Sequence, residues 1–512
     1  MREYSLFVPE YIAIIGAFVI VGVELWSPNV RKDVLAYLTA AVALAFGIAS
    51  LFYLGDDPKS FQGLIQVDNF TSFFRILSAG TVVVVALQSA VYMQTRTKTA
   101  SEYYGLMLIA ACATVLMAAS RELMTAYIGL ELLSFCLYIL VGFLKRDVLS
   151  SEASLKYILL GAFASAMFLY GMSLIYGVTG TTSYDGIHDA LATRGPDTSA
   201  AVVVGFMLIL AGVGFKVSAA PFHMWAPDAY EGAPLPITAL LSTLSKAAGF
   251  ALFLRLFAGA FTTDAAEWRW AVAALSAITM TAGNLIAIQQ TNLKRLIAYS
   301  SISQVGYMLI VIAAIGYGDA VTGRDAATAL LLHIGGYVIS TLALFSALIA
   351  YYNKTGKDTI EGLRGMAETA PFLSLVVVVS LFSLAGLPFF AGFATKLFLF
   401  QSSTTDGLLW LVALGVLNSF ISLYYYLMIL RQMYLFSPPE GMKRFRPNPL
   451  LAALSFVTML GVIFVGVYPQ PLFKAADHAT ETLFMRGADQ PEARAPALDG
   501  GGTAPAAATQ PR

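Results

Sequence analysis

Residues 123–144 read LMTAYIGLELLSFCLYILVGFL, and residues 236–254 read PITALLSTLSKAAGFALFL. At about 1.5 Å of rise per helical residue, each run spans the hydrocarbon core of a bilayer, and each carries a single charge near its middle. Those charges are Glu131 and Lys246. They lie roughly 15 Å from the ends of their runs, beyond the distance a lysine can snorkel. Lys216 and Lys396 are likewise set inside apolar runs. An ionisable group at that depth costs several kcal/mol unless it faces a polar interior and finds partners, so the four together read as a path for ions or protons.

The rest of the chain agrees with a helical membrane protein. Of 512 residues, 58% are hydrophobic and 12% charged, with a mean hydropathy of +0.72. A soluble domain is about 25% charged. The formal net charge is zero and no basic run is long or aromatic-interleaved, which argues against nucleic acid and leaves lipid and other membrane proteins as partners. The two cysteines, Cys112 and Cys136, lie in apolar spans and read as small packing residues. The four histidines show no metal-ligand spacing, which argues against iron–sulfur clusters, c-type haem and structural zinc. Counting alone permits a haem between His223 and His333, but nothing else supports it. No Gly-rich strand-to-helix turn and no Walker motif occurs, so whatever energises the chain comes from elsewhere. The run from Pro9 to Trp26 lacks a basic start and a small-residue cleavage site and reads as a retained first span.

Apolar runs set against breaks of Gly, Pro and charge predict about fourteen transmembrane helices, starting near residues 9, 34, 70, 103, 122, 154, 200, 236, 270, 296, 326, 372, 408 and 449. Fifteen basic residues fall in the odd-numbered connections, among them Lys145, Arg146, Lys294, Arg295 and Arg431, against five in the even ones. That asymmetry predicts cytoplasmic odd loops and both termini outside. The segment 486–512 is rich in Ala, Pro and Gly without apolar periodicity and reads as a disordered tail.

Two spans carry an internal proline, Pro221 and Pro388, each beside small residues and close to a buried lysine. Proline removes a backbone hydrogen bond and clashes with the preceding turn, so both helices are expected to be discontinuous. They are the seventh and twelfth spans, five apart. An odd offset inverts the second unit, which predicts two inverted five-helix repeats of the kind found in secondary transporters. The predicted organisation is therefore residues 1–100 for the first three spans, 101–260 and 261–435 for the two repeats, and 436–485 for the last span.

Glu131 and Lys216 have opposite charge and can offset one another's burial, either as transport groups or as an ion pair holding two helices together. Lys246 and Lys396 have no obvious carboxylate nearby in sequence. Away from water a lysine is held less firmly as an ammonium, which suits a station that loads and unloads a proton. For Lys396, eight positions after Pro388, donation to carbonyls freed by a broken helix is the competing reading. His333 lies within a span, either relaying a proton between lysines or filling the core. Ser300, Ser301, Ser303 and Gln304 suit a polar channel or ordinary helix packing equally. His223 and Asp228 line the connection after Pro221 or satisfy irregular backbone there. Lys294 and Arg295 need only the positive-inside rule. Glu24 reads as an internal structural charge or a contact with a neighbouring subunit.

Four stretches together resemble one family: SEASLKYILLGAFASAMFLYG (151–171), FKVSAAPFHMWAPDAYEGAPLPITALLSTLSKAAGF (215–250), NLKRLIAYSSISQVGYM (292–308) and GLPFFAGFATKLFLF (386–400). They are similar to the antiporter-like membrane subunits of proton-pumping NADH:quinone oxidoreductase, respiratory complex I, over about residues 68–435. Within that family the EASLKY and DAYEGAP stretches, Lys246 in place of the histidine usual in the L and M types, and the lack of a long lateral helix resemble the N type. The resemblance implies that Glu131 pairs with Lys216, that Lys246 and His333 bridge along a hydrated axis, and that Lys396 feeds the outward exit. It also implies no cofactor in this chain. FMN, iron–sulfur clusters and quinone would belong to partner subunits, with energy arriving through neighbouring membrane-arm subunits.

A cation/proton antiporter subunit, or a membrane-bound hydrogenase subunit of the same family, is the alternative. Sodium binding at the midplane calls for a cluster of carboxylates, and only Glu131 is available. Co-purification separates the readings: flavin and iron–sulfur subunits in the isolated complex are expected, and their absence would favour an antiporter.

Overall fold

The computed structural model describes residues 4–194, 200–261, 265–315, 320–404 and 407–483. The tail predicted from residue 486 lies outside the described residues. Among the described residues the chain is all-α apart from one short antiparallel hairpin, β1 (Lys59–Phe61) with β2 (Ile65–Val67). Its first half comprises α1 (Val8–Trp26), α2 (Lys32–Leu51), α3 (Asn69–Tyr92), α4 (Ser101–Ala119), α5 (Leu123–Val141), α6 (Val148–Thr179), the surface helix α7 (Tyr184–Arg194), α8 (Ala200–Val217), α9 (Trp225–Gly232) and α10 (Leu235–Arg255). The second half comprises α11 (Ala265–Ile288), α12 (Leu293–Ile315), α13 (Ala320–Thr355), α14 (Met366–Thr369), α15 (Pro371–Ala385), α16 (Ala391–Ser402), α17 (Leu409–Leu435), α18 (Pro449–Val467) and the amphipathic α19 (Gln470–Thr480).

Among the described residues, thirteen helices are long and apolar enough to cross a membrane, and α15 is a shorter apolar one. With α16 continuing α15 across its break, this reproduces the fourteen expected spans. The chain is an integral membrane protein. Two spans are longer than expected. The helix expected near residue 154 begins at Val148, and the one expected near 326 begins at Ala320, giving 32 and 36 residues. Charged residues near both starts, Glu152 and Lys156 in α6 and Arg324 and Asp325 in α13, interrupt the apolar run by which a span is recognised.

Burial runs from the inside outwards. Every residue in the apolar window of the span containing α10 is buried, and nearly all are in α12 and α13, whereas α1, α2, α6 and α18 bury about a third. Large apolar side chains such as Phe163, Phe420, Leu417 and Val457 are exposed on the outer helices, where lipid is their solvent. The innermost helices carry the polar groups, Lys246 on α10, Ser300 to Gln304 on α12 and His333 on α13, all buried. In a bilayer, helix association draws on hydrogen bonds and close fit rather than on exclusion of apolar surface, so polar residues collect at the centre.

Charges near the helix ends tie this bundle together. Arg255 at the end of α10 donates to Asp68 at 2.7 Å and to the Ala118 carbonyl at 2.6 Å, while Thr482 reaches the same carboxylate at 3.2 Å. Asp68 also caps α3, accepting from the Thr71 amide at 2.8 Å. Arg75 joins α3 to α1 through Glu10 at 2.7 Å and the Leu6 carbonyl at 2.8 Å. Glu24 takes its internal role: it pairs with Lys32 and accepts from the Ser101 amide at 2.8 Å and the Ala100 amide at 3.0 Å. A carboxylate at the N-terminus of α4 meets unsatisfied amides and the positive end of the helix dipole.

Replacing Asp68 by alanine leaves the Arg255 guanidinium buried and unpaired, a loss of about 3–5 kcal/mol. The expected outcome is a clearly lower melting temperature of the detergent-solubilised protein, or loss of the subunit from the membrane. An unchanged melting temperature contradicts the assignment of this pair as a structural tie.

Candidate functional site

Lys216 is the penultimate residue of α8, and the backbone leaves the helix at Ser218, a non-glycine residue at φ +70°. Pro221 forbids continuation, so the last carbonyls of α8 need other donors. Trp225 Nε1 donates to the Phe215 carbonyl at 2.9 Å, the Ala219 amide to that of Gly214 at 2.8 Å, and Ser245 Oγ to that of Lys216 at 3.3 Å. Lys216 itself is buried and donates to Ser134 Oγ at 2.9 Å.

Ser134 lies three residues after Glu131 on α5, so the two share a helical face. Glu131 is only partly buried, and its carboxylate accepts a hydrogen bond from Ser165 of α6. Glu131 and Lys216 therefore make no direct ion pair. The expected contact is replaced by a gap bridged on one side by Ser134, because the glutamate turns towards α6 while the lysine enters from α8.

Lys246 donates to Tyr230 Oη, has Ser218 Oγ at 3.5 Å, and lies 4.8 Å from the Tyr230 ring centroid and 5.5 Å from that of Trp225. Two aromatic faces thus share its charge. The Tyr230 hydroxyl in turn meets Ser301 Oγ at 3.3 Å, reaching from α9 to α12. A cluster of ion pairs anchors α9: Arg295 of α12 binds Asp228 at 2.6 Å and Glu231 at 2.9 Å, and Lys156 of α6 binds Asp228 at 3.1 Å. Lys294 donates to the Glu231 carbonyl and Asn292 to the Glu231 carboxylate at 2.9 Å. Asp228, Lys294 and Arg295 thus do more than satisfy loop backbone or topology. Together they fasten the second half of a broken span to the next half of the molecule.

The second break follows α15. Gly386 at φ +87° and Phe389 at φ +72° turn the chain, and α16 begins at Ala391. Lys396 lies in the first half of α16 and donates back to the freed Leu384 carbonyl at 2.8 Å and to that of Ala385 at 3.5 Å, with Ser419 Oγ at 3.3 Å. Gln304 of α12 shares the Leu384 carbonyl at 2.9 Å. The carbonyl-bound arrangement expected as the competing reading for Lys396 is the observed one. His333 Nδ1 lies 2.9 Å from Thr395 Oγ1, the neighbour of Lys396, while its Nε2 is buried without a protein partner. Among the described residues, no three His, Cys, Asp or Glu side chains cluster so as to hold a metal ion.

The structure thus collects Lys396 and His333 at one break, and Lys216 and Lys246 at the other. None of the three lysines touches a carboxylate. Each can gain or lose a proton without breaking an ion pair. Sequence reading missed Ser134, Ser165 and Tyr230. The first was within reach, being one turn from Glu131, and the last sits in the DAYEGAP stretch two residues beyond Asp228. Ser165 required knowledge of which face of α6 meets α5.

Residues 120–422 match the family model described as the transmembrane region of NADH:quinone oxidoreductase/Mrp antiporter proteins. The chain belongs to that family. It is 40% identical over 458 residues to NADH-quinone oxidoreductase subunit N of Moorella thermoacetica, covering 90% of this chain and 94% of that one. It is 36% identical to NAD(P)H-quinone oxidoreductase subunit 2 of a Nostoc species, covering 92% of each. Among solved structures, a chain of respiratory complex I from Thermus thermophilus aligns over 92% of this chain and 100% of its own length, with a TM-score of 0.75 and 29% identity. A chain of the Mrp complex from a Dietzia species covers 94% of this chain and 98% of its own, with a TM-score of 0.82 at 23% identity, a likeness of fold alone.

The second break depends on close approach. A Cβ on Gly392 would stand 1.7 Å from the Ser383 carbonyl oxygen, a backbone atom that cannot give way. Gly392→Ala is therefore expected to force α15 and α16 apart and to lower the thermal stability of the solubilised protein by several degrees. A wild-type melting curve would show that the break is not held by this contact.

Proposed function

We propose that this chain is a proton-translocating membrane-arm subunit of an NADH:quinone oxidoreductase. Protons move along Glu131, Lys216, Lys246, His333 and Lys396 while electrons pass from NADH to quinone in other subunits. The observation that carries the reading is the set of three buried lysines held by hydroxyls, aromatic faces and carbonyls instead of carboxylates. A structural ion pair needs its counter-charge in contact, and a cation site needs several carboxylates. A proton relay needs neither. Family membership and the 40% identity to a subunit N support the assignment to the complex.

FMN, iron–sulfur clusters and quinone then lie in partner subunits, and coupling reaches this chain through adjoining antiporter-like and small membrane subunits. The excess of basic residues in odd loops supports cytoplasmic odd loops and outward termini in a bacterial plasma membrane. The helix breaks five spans apart support two inverted five-helix repeats, over residues 101–260 and 261–435. Moving one charge against about 100 mV costs about 2.3 kcal/mol, so coupling must change a station's proton affinity by roughly fiftyfold per charge.

Replacing Lys216 or Glu131 by alanine in the assembled complex is expected to cut coupled quinone reduction and proton pumping by about tenfold or more. Intact assembly with unchanged pumping would sink the assignment.

A further inference from the structure

Lys396 has two kinds of partner. The Leu384 and Ala385 carbonyls come from the break itself, whereas the Tyr307 ring and the Ser419 hydroxyl come from α12 and α17. The Tyr307 ring centroid lies 4.8 Å from Lys396 Nζ. Ser419 Oγ donates to the Ala385 carbonyl at 3.1 Å, which leaves its oxygen to accept from the ammonium at 3.3 Å. Both of these partners lead back to one residue of a third helix, α11. Asn284 is fully buried there. Its Nδ2 donates to Tyr307 Oη at 3.0 Å and to the Asn418 carbonyl and Oδ1 at 2.9 and 3.1 Å. Its Oδ1 accepts from Tyr425 Oη at 3.0 Å. The Asn418 carbonyl can only accept, which fixes the way the Asn284 amide faces. Asn418 immediately precedes Ser419, and its own Nδ2 donates to the Leu414 carbonyl at 3.0 Å and to Thr281 Oγ1 at 3.3 Å. A buried network with its donors satisfied is rigid, and here it joins α11, α12 and α17.

We infer that Asn284 is a positioning residue for Lys396: its one amide fixes both the Tyr307 ring and the stretch of α17 that carries Ser419, and so sets the surroundings in which Lys396 takes up and gives up a proton. The inference rests on the proton-translocation reading above. Asn284 acts through its neighbours and carries no proton itself. Without its donation the Tyr307 hydroxyl loses the bond that holds the ring against the ammonium. The Asn418 carbonyl is released at the same time, next to the serine that shares the Lys396 charge. Tyr307 of α12 and His333 of α13 are the titratable side chains facing Lys396. The neighbouring α15 and α18 contain none, and α17 meets Lys396 through Ser419.

The test measures proton pumping and NADH:quinone turnover against pH in proteoliposomes of the whole NADH-oxidising complex carrying Asn284→Ala, Tyr307→Phe or Lys396→Ala. An ammonium whose aromatic face is no longer held against it keeps its proton less firmly, so the fall of pumping on the alkaline side moves to lower pH. Asn284→Ala is expected to move it by about one pH unit, a tenfold change in proton affinity, with pumping at the acidic end near wild type. Tyr307→Phe keeps the ring but loses the bond from Asn284, and is expected to move the profile in the same direction. A loss by the same factor at every pH in Asn284→Ala overturns the inference, because the amide is then only a structural contact. An unmoved profile beside a defective Lys396→Ala overturns it too, and leaves the translocation reading standing. Wild-type pumping in Lys396→Ala removes that station from the translocation reading, and this inference with it. Should Asn284→Ala fail to assemble, Tyr307→Phe decides the matter, an unmoved profile being the contradicting result.

Discussion

An ammonium group in hydrocarbon must be solvated by the protein that carries it there, and that need shapes the centre of this molecule. Helices satisfy their own backbones and so have nothing to offer a charge. The chain breaks two of them. At the second break the Leu384 and Ala385 carbonyls, deprived of helical donors, turn to Lys396. At the first, the residues after Lys216 bring Ser218, Trp225 and Tyr230 around Lys246. The breaks thus solvate Lys246 and Lys396, while Lys216 is met by Ser134 of the unbroken α5, and the innermost helices α10, α12 and α13 carry the polar groups that face those shells.

A second consequence concerns connectivity between the halves. The ion pairs of Arg295 with Asp228 and Glu231 hold α9, the far side of the first break, against α12 of the second half. The same α12 sends Gln304 to the Leu384 carbonyl at the second break. One helix therefore touches both solvation shells. A conformational change that moved α12 would alter contacts at both lysine sites.

Much of this was legible in the sequence because lipid imposes strict rules. Length and apolarity gave the spans, and Pro221 and Pro388 gave the breaks, since a proline cannot sit silently in a spanning helix. The buried charges were conspicuous for the same reason. Legibility failed where the outcome depended on which helix faces meet. Nothing local shows that Glu131 turns to Ser165 while Lys216 turns to Ser134, nor that Tyr230 comes to rest between Lys246 and Ser301. The early starts of α6 and α13 were hidden too, because the charged residues near them, Glu152 and Lys156 in α6 and Arg324 and Asp325 in α13, interrupt the apolar runs. Glu24 illustrates a further limit, since its partners, the amides of Ala100 and Ser101, are 76 and 77 residues away.

The scaffold is shared with Mrp-type complexes at low identity, so fold alone does not distinguish a proton relay from a cation path or an inert support. What distinguishes them is whether the lysines change charge during turnover. The most direct measurement is the proton-to-electron ratio of the assembled complex in proteoliposomes when Lys216, Lys246 and Lys396 are all replaced by methionine. A relay predicts a fall in protons moved per electron, or a stalled complex whose NADH oxidation no longer pumps. An unchanged ratio at unchanged turnover would contradict it and reduce this chain to a structural element of the membrane arm.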